Sequence, residues 1–118
     1  MKEIGGNGQV DYVEFNVSDI QRAKQFYGSV FGWVFTDYGP TYTEFSDGRI
    51  TGGFTTTEKI LKEGGPLIIF YAKDLAGTLS KIQAAGAEIV KPIFAFPGGQ
   101  RFHFKDLEGY TLGVWTED

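Results

Sequence analysis

The sequence predicts an α+β fold: two tandem βαβββ modules, at about residues 9–55 and 66–116 of the 118, each a four-stranded sheet packed on one helix. Three observations carry this. A strand-like stretch runs into an aspartate, then into an amphipathic segment that a glycine ends, and it does so twice: Asp19 to Gly32 and Asp74 to Gly86, at nearly equal separation. Each of those glycines is followed by further strand-length segments with turn residues between them. Finally, eleven Phe, six Tyr and two Trp beside seventeen Gly suit tightly turned strands around an aromatic-lined interior.

Met1 to Gly8 reads as a loose arm, since Gly5, Gly6 and Gly8 offer nothing to pack. Val10 to Val17 alternates, with Val13, Phe15 and Val17 on one side and Tyr12, Glu14 and Asn16 on the other. Ser18 and Asp19 open a helix over Ile20 to Phe31, and Ser18 with Gln21 fits a capping box. Ala23, Phe26, Tyr27, Val30 and Phe31 line one face of that helix, and Gly32 ends it. Trp33 to Tyr38 and Thr41 to Ser46 are strands about a Gly39-Pro40 turn. Asp47-Gly48 reads as a two-residue hairpin turn with both residues at positive φ, and Arg49 to Phe54 as the fourth strand. Thr55 to Gly65 connects the halves. The second module repeats the order: a strand at Leu67 to Ala72, a helix capped by Asp74 with a Leu75, Leu79, Ile82 and Ala85 stripe, and a strand at Ala87 to Ile93. A loop from Phe94 to Gln100, a strand at Arg101 to Lys105, the turn Asp106 to Gly109 and a strand at Tyr110 to Trp115 complete it. Each sheet then buries one face under its helix and leaves the other to solvent or a cavity.

A chain of this length is expected to be a single domain with a core of its own. With no cysteine there are no disulfides or thiolate metal sites, and the lack of a signal peptide points to a cytoplasmic protein. No apolar run approaches the ~20 residues of a membrane span. A formal net charge of -4 without like-charge runs argues against nucleic acid as a partner.

The stretch V-E-F-N-V-S-D-I-Q-R-A-K-Q-F-Y-G-S-V-F-G-W, with A-A-G-A-E-I and the turn D-L-E-G-Y in the second module, resembles the vicinal oxygen chelate superfamily. That group includes glyoxalase I, fosfomycin and bleomycin resistance proteins and extradiol dioxygenases. The resemblance spans nearly the whole chain and is nearest to the small single-domain branch related to lactoylglutathione lyase. It implies paired modules whose eight strands wrap into a cup, a curved mixed eight-stranded sheet around a concave cavity, usually completed or closed by a second subunit, so a homodimer is expected. It also implies a divalent metal held by His, Gln or Glu at four positions, which in this sequence fall on Tyr12, Leu67, Gly52 and Gly113. A phenol with a pKa of about 10 is a poor ligand at neutral pH, and leucine and glycine have no side-chain donor. Hence no cofactor is expected, the family metal being lost. One histidine, His103, rules out an imidazole-rich site within one subunit, and a relocated site of His103 with Glu14 or Glu44 is the remaining metal alternative.

Alternation selects the residues that point into the cup: Tyr12, Glu14 and Asn16; Leu67, Ile69 and Tyr71; Arg101 and His103; Gly113 and Trp115. Leu67, Ile69, Tyr71 and Trp115 make an apolar and aromatic wall facing a few polar groups, the usual make-up of a small-molecule pocket. Glu14 reads as a general base, a counter-ion for Arg101 or Lys105, or a solvated carboxylate at the mouth. Tyr12 either bonds a ligand carbonyl or fills the vacated metal space, and His103 is either an acid-base group or structural. Phe94, Phe96 and Pro97 are candidates for a mobile flap or dimer contacts. These residues support a metal-free protein that binds a small, partly aromatic or cationic organic molecule. The alternative is a lyase or isomerase with Glu14 as base and Tyr12, Arg101 or His103 stabilising an oxyanion. A structural partner domain is the third reading.

Overall fold

A computed structural model describes residues 5–118, so Met1 to Ile4 of the expected arm lie outside the described residues. Gly5 to Gly8 are exposed, and a turn closes there with the Gln9 N–H donating to the Gly6 carbonyl at 3.1 Å. The chain forms two compact units that meet in sequence between Ile60 and Leu61. All eight expected strands and both helices are present, the strands hydrogen-bonded as two four-stranded mixed sheets, one in each unit. Among the described residues no helix is long and apolar enough to cross a membrane.

The first unit runs β1 (Tyr12–Asn16), α1 (Ile20–Phe31), β2 (Val34–Asp37), β3 (Tyr42–Ser46) and β4 (Thr51–Thr55), in the sheet order β1-β4-β3-β2. β1 and β4 pair in parallel, the other neighbours antiparallel. The N-cap of α1 is Asp19, whose carboxylate accepts the Arg22 N–H at 3.0 Å. That registers the helix one residue later than a Ser18–Gln21 box requires, and Ser18 Oγ accepts from the Arg22 guanidinium instead. Gly32 stops α1 at φ +73°. Phe15, Phe26, Tyr27, Trp33, Phe45 and Phe54 are buried between helix and sheet. Tyr27, Trp33 and Phe45 form a stack, with centroids 4.6 and 4.2 Å apart.

The turn between β3 and β4 corrects the two-residue reading. Of its residues only Gly48 has positive φ, and the loop is Asp47 to Ile50, closed by the Asp47 N–H donating to the Ile50 carbonyl. The Asp47 carboxylate accepts the Arg49 and Ile50 N–H groups at 2.8 and 2.7 Å, so a side-chain-closed turn replaces the left-handed pair.

The second unit repeats the topology: β5 (Ile69–Tyr71), α2 (Leu75–Ala84), β6 (Glu88–Phe96), β7 (Gly99–Lys105) and β8 (Thr111–Glu117), in the order β5-β8-β7-β6. Asp74 caps α2 by accepting the Gly77 N–H, and Gly86 follows its end at φ +95°. Leu75, Ile82, Phe102, Phe104, Leu112 and Val114 are buried. β5 is shorter than the expected Leu67 to Ala72 strand, and Leu67 lies before it, exposed. The segment expected to be a loop is a hairpin. β6 continues through Phe94 and Phe96, which pair with Arg101 and Gly99, and the turn is Pro97 with Gly98 at φ +108°. Pro92 does not end the strand, because β6 is an edge and its register shifts twice between Ile89 and Phe94. Phe94 and Phe96 therefore stand on a paired strand, with Pro97 in its turn.

Candidate functional site

Strand register lays out the open face of each sheet in rows. In the first unit Glu14, Gly53 and Glu44 lie side by side, with Asn16, Thr55 and Tyr42 in the next row. In the second unit Ile69, Gly113 and His103 occupy the equivalent row, and Tyr71, Trp115 and Arg101 the one beside it. A glycine thus sits at the centre of both faces.

Gly53 lets two tyrosines lie across its backbone. A Cβ there would run into the Tyr42 ring and hydroxyl and lie 2.9 Å from Tyr12 Oη. Tyr42 donates to Glu14 Oε2 at 2.8 Å, and its hydroxyl is 2.5 Å from that of Tyr12. Each phenol has one proton, and Tyr42 commits its own to the carboxylate, so Tyr12 donates to Tyr42. The result is an ordered chain, Tyr12 to Tyr42 to Glu14. Burial pushes the Tyr42 phenol far above its usual range, and the bond it donates to Glu14 and the Glu14 charge push the same way. Burial also raises Tyr12, and the charges of Glu44 and Glu14 add to it. Both phenols keep their protons at neutral pH. Asn16 donates its amide to the Lys59 carbonyl at 3.0 Å and ties down the connecting segment.

The second face is built from cations and rings. Arg101 lies over Phe94 and Phe96, with its Cζ 5.3 and 5.4 Å from their centroids, and Lys91 Nζ is 4.2 Å from the Phe94 centroid. Phe94 meets His103 edge-on at 5.6 Å, and Trp115 contacts Phe96 and Tyr71 edge-on at 6.3 and 5.4 Å. Arg101 Nε and His103 Nε2 are buried and have no hydrogen-bond partner among the described residues. Burial depresses the His103 pKa, and the Arg101 and Lys91 charges depress it further, so the imidazole is neutral at pH 7. Tyr71 donates to Glu117 at 2.5 Å; the bond raises the phenol and lowers the carboxyl.

The sequence-predicted residues therefore separate into two groups. Tyr12 and Glu14 meet through Tyr42; Ile69, Tyr71, Arg101, His103, Gly113 and Trp115 share the second face; Leu67 joins neither. Sequence reasoning missed Tyr42 and Lys91, and placed Phe94 and Phe96 on a loop rather than on β6. Tyr42 pairs with Thr55, one row from Gly53, so nothing beside it in sequence marks it, and the Pro97-Gly98-Gly99 run made the segment of Phe94 and Phe96 read as a loop. A cleft of about 700 Å³ lined by residues that include Asp11, Asp47 and Arg49 contains none of these groups.

The donors for a family metal do not fit. Gly52 shares its row with Val13 and the buried Phe45, and a Cβ on it would strike the Phe45 ring and the Val13 carbonyl, so it faces the helix side. Counting from the hairpin glycine misplaces it because two residues, Arg49 and Ile50, separate Gly48 from β4, whereas only Tyr110 separates Gly109 from β8. The open-face position is Gly53, which offers no side-chain donor, and the Tyr42 and Tyr12 hydroxyls lie where its side chain would be. Gly113 and Leu67 are equally without donors, and among the described residues no three His, Asp or Glu side chains converge.

Residues 9–114 match the family model described as Glyoxalase/Bleomycin resistance protein/Dioxygenase superfamily. A glyoxylase-like domain-containing protein of Didymella fabae is 24% identical over 93% of this chain and 94% of its own length. CFP32 of Mycobacterium tuberculosis is 25% identical over 92% of this chain, which spans only 45% of that relative. A glyoxalase-related enzyme from Fulvimarina pelagi has the same fold, with a TM-score of 0.79 at 19% identity over 93% of this chain and 88% of the other.

Proposed function

Because the chain belongs to the Glyoxalase/Bleomycin resistance protein/Dioxygenase superfamily, we propose that it is a metal-independent member that binds a small organic molecule, acting in the cytoplasm as a homodimer. The observation that carries this reading is the Tyr12–Tyr42–Glu14 chain laid over Gly53: two hydroxyls stand where a fourth-strand carboxylate would reach an ion. The aromatic residues on the second face supply the apolar contact area a small ligand needs. Two measurements test it together: metal content after purification, and calorimetric titration with a panel of metabolites and antibiotics. Stoichiometric, tightly held divalent metal overturns the metal-independent part, and a silent panel overturns binding. Light scattering at micromolar concentration tests the dimer.

One observation favours a second reading, that of a lyase or isomerase. Tyr42 holds Glu14 by a charge-assisted bond, a way of aiming a general base. Glu14 would take a proton from the carbon beside a carbonyl and return it to the neighbouring atom. Tyr42, released once Glu14 carries the proton, would hydrogen-bond an enolate oxygen but, raised as it is, not protonate it. A methylglyoxal–glutathione assay with and without added Ni²⁺ or Zn²⁺ decides: turnover removed by Glu14→Gln supports this reading.

A further inference from the structure

The expectation of a partly cationic ligand follows from the overall charge of -4, but the local charge on the second face is the opposite. Lys91, Arg101 and His103 occupy its middle. The carboxylates on the same side stand at the ends: Glu117 is engaged by Tyr71 and Thr116, and Glu88 lies opposite Lys105. We propose that the open face of β6, β7 and β8 binds a small organic anion, a carboxylate or phosphonate on a flat apolar body, with Arg101 and His103 as its donors.

This deepens the small-molecule reading above and rests on it. Phe94 and Phe96 attract the Arg101 charge but accept none of its N–H groups in hydrogen bonds, so the rings fix the guanidinium and leave its fork for an anion. Arg101 Nε and His103 Nε2 are the two buried ring or guanidinium nitrogens without a partner among the described residues. Leaving such groups unmatched is unfavourable, and one anion bonded to both would match them. They belong to residues two apart on β7, hence on one side of the strand at a spacing of about 7 Å. Gly113 keeps the floor beside His103 bare: a Cβ there would crowd His103 Cδ2 and Ile69 Cγ1, both at 3.3 Å. Ile69, Phe96 and Trp115 flank the anion position with apolar surface.

Binding an anion here is linked to a proton. The groups around His103 are Arg101 and Lys105 on its own strand, Lys91, Phe94 and, opposite Lys105, Glu88 on β6, uncharged Thr111, Gly113 and Trp115 on β8, and Ile69 on β5. Of the charged ones only Glu88, at the end of the face, is negative. An anion among them favours the imidazolium, so affinity rises as pH falls from 8 to 6.

The test titrates benzoate, phenylphosphonate and benzylammonium into the full chain by calorimetry at pH 6 and 8. The expected result is binding of at least one anion, benzylammonium weaker by about tenfold or more, and a similar loss of anion affinity in Arg101→Gln. Tighter binding at pH 6 should disappear in His103→Gln. Should Arg101→Gln not fold, Arg101→Lys keeps the charge without the fork and is expected to weaken the anion in the same direction. Equal binding of benzylammonium, indifference of the anion to the Arg101 and His103 substitutions, or no anion binding overturns the proposal. A panel molecule that binds independently of Arg101 sinks only this inference, whereas a protein that binds nothing sinks the small-molecule reading as well.

Discussion

In the first unit Glu14 and Glu44 flank Gly53 across the sheet; in the second, Ile69 and His103 flank Gly113. The next row sets Tyr42 against Arg101 by the same register. One topology thus carries an acceptor-rich face and a cation-rich face, because the backbone fixes only where side chains project. The helix sides differ too. Gly52 is bare and lies under the Phe45 ring, whereas the equivalent residue of β8, Leu112, fills its own space beside Phe104. What the duplication preserves is geometry, and the chemistry of each half is set row by row.

The sharpest way to break the comparison is to give both units the same side chain at a glycine. Gly52→Ala forces a methyl into the Phe45 ring and the Val13 carbonyl, and is expected to cost about 3 kcal/mol or more. Gly113→Ala crowds two movable side-chain atoms, with the Phe102 carbonyl at an ordinary 3.5 Å, and should cost less than about 1 kcal/mol, both read from urea midpoints. Next in size, Tyr42→Phe removes a bond to a carboxylate and is expected to lose about 1–2 kcal/mol, with one fewer strongly resistant phenol in a spectrophotometric titration. Tyr71→Phe, which removes the exposed tyrosine–carboxylate bond of the second unit, should change stability less.

A pH series probes the units separately. His103 has a lowered folded pKa, so the unfolded chain takes up its proton first. Stability is therefore full above about 6.5 and declines as pH falls towards the folded value, a slope that His103→Gln should flatten. The smallest effect belongs to the first unit. Lys24 lies 2.9 Å from Asp37, and that bond, with the one from Thr43, holds the carboxyl below its usual value. The stabilisation is present above about pH 4 and disappears as pH falls through the folded value; Lys24→Ala should remove it with only a small shift of the urea midpoint at pH 7.

The helices were legible because their ends are chemical: Asp19 and Asp74 cap, Gly32 and Gly86 stop. Alternation likewise separated core from open face along β1, β7 and β8, where Phe102 and Phe104 are buried and Arg101 and His103 are not. What escaped depended on contacts distant in sequence. That Tyr42 reaches Glu14 is a property of Gly53 on the strand between them, and nothing local to Tyr42 announces it. The bond from the Asn16 amide to Lys59, forty-three residues on, is likewise invisible in the local pattern of β1. Leu67 was misassigned because an apolar residue before a strand looks the same as one inside it.

The irregular margin formed by β6 bears on assembly. A proline gives no amide proton to a neighbour, and a strand whose spacing slips twice cannot hold a continuous ladder with a newcomer. Lys91 adds charge at the same place. Any copy of this chain that joins another has to do so by some route other than zipping onto that border, and the same defects guard the protein against stacking into fibrils when crowded.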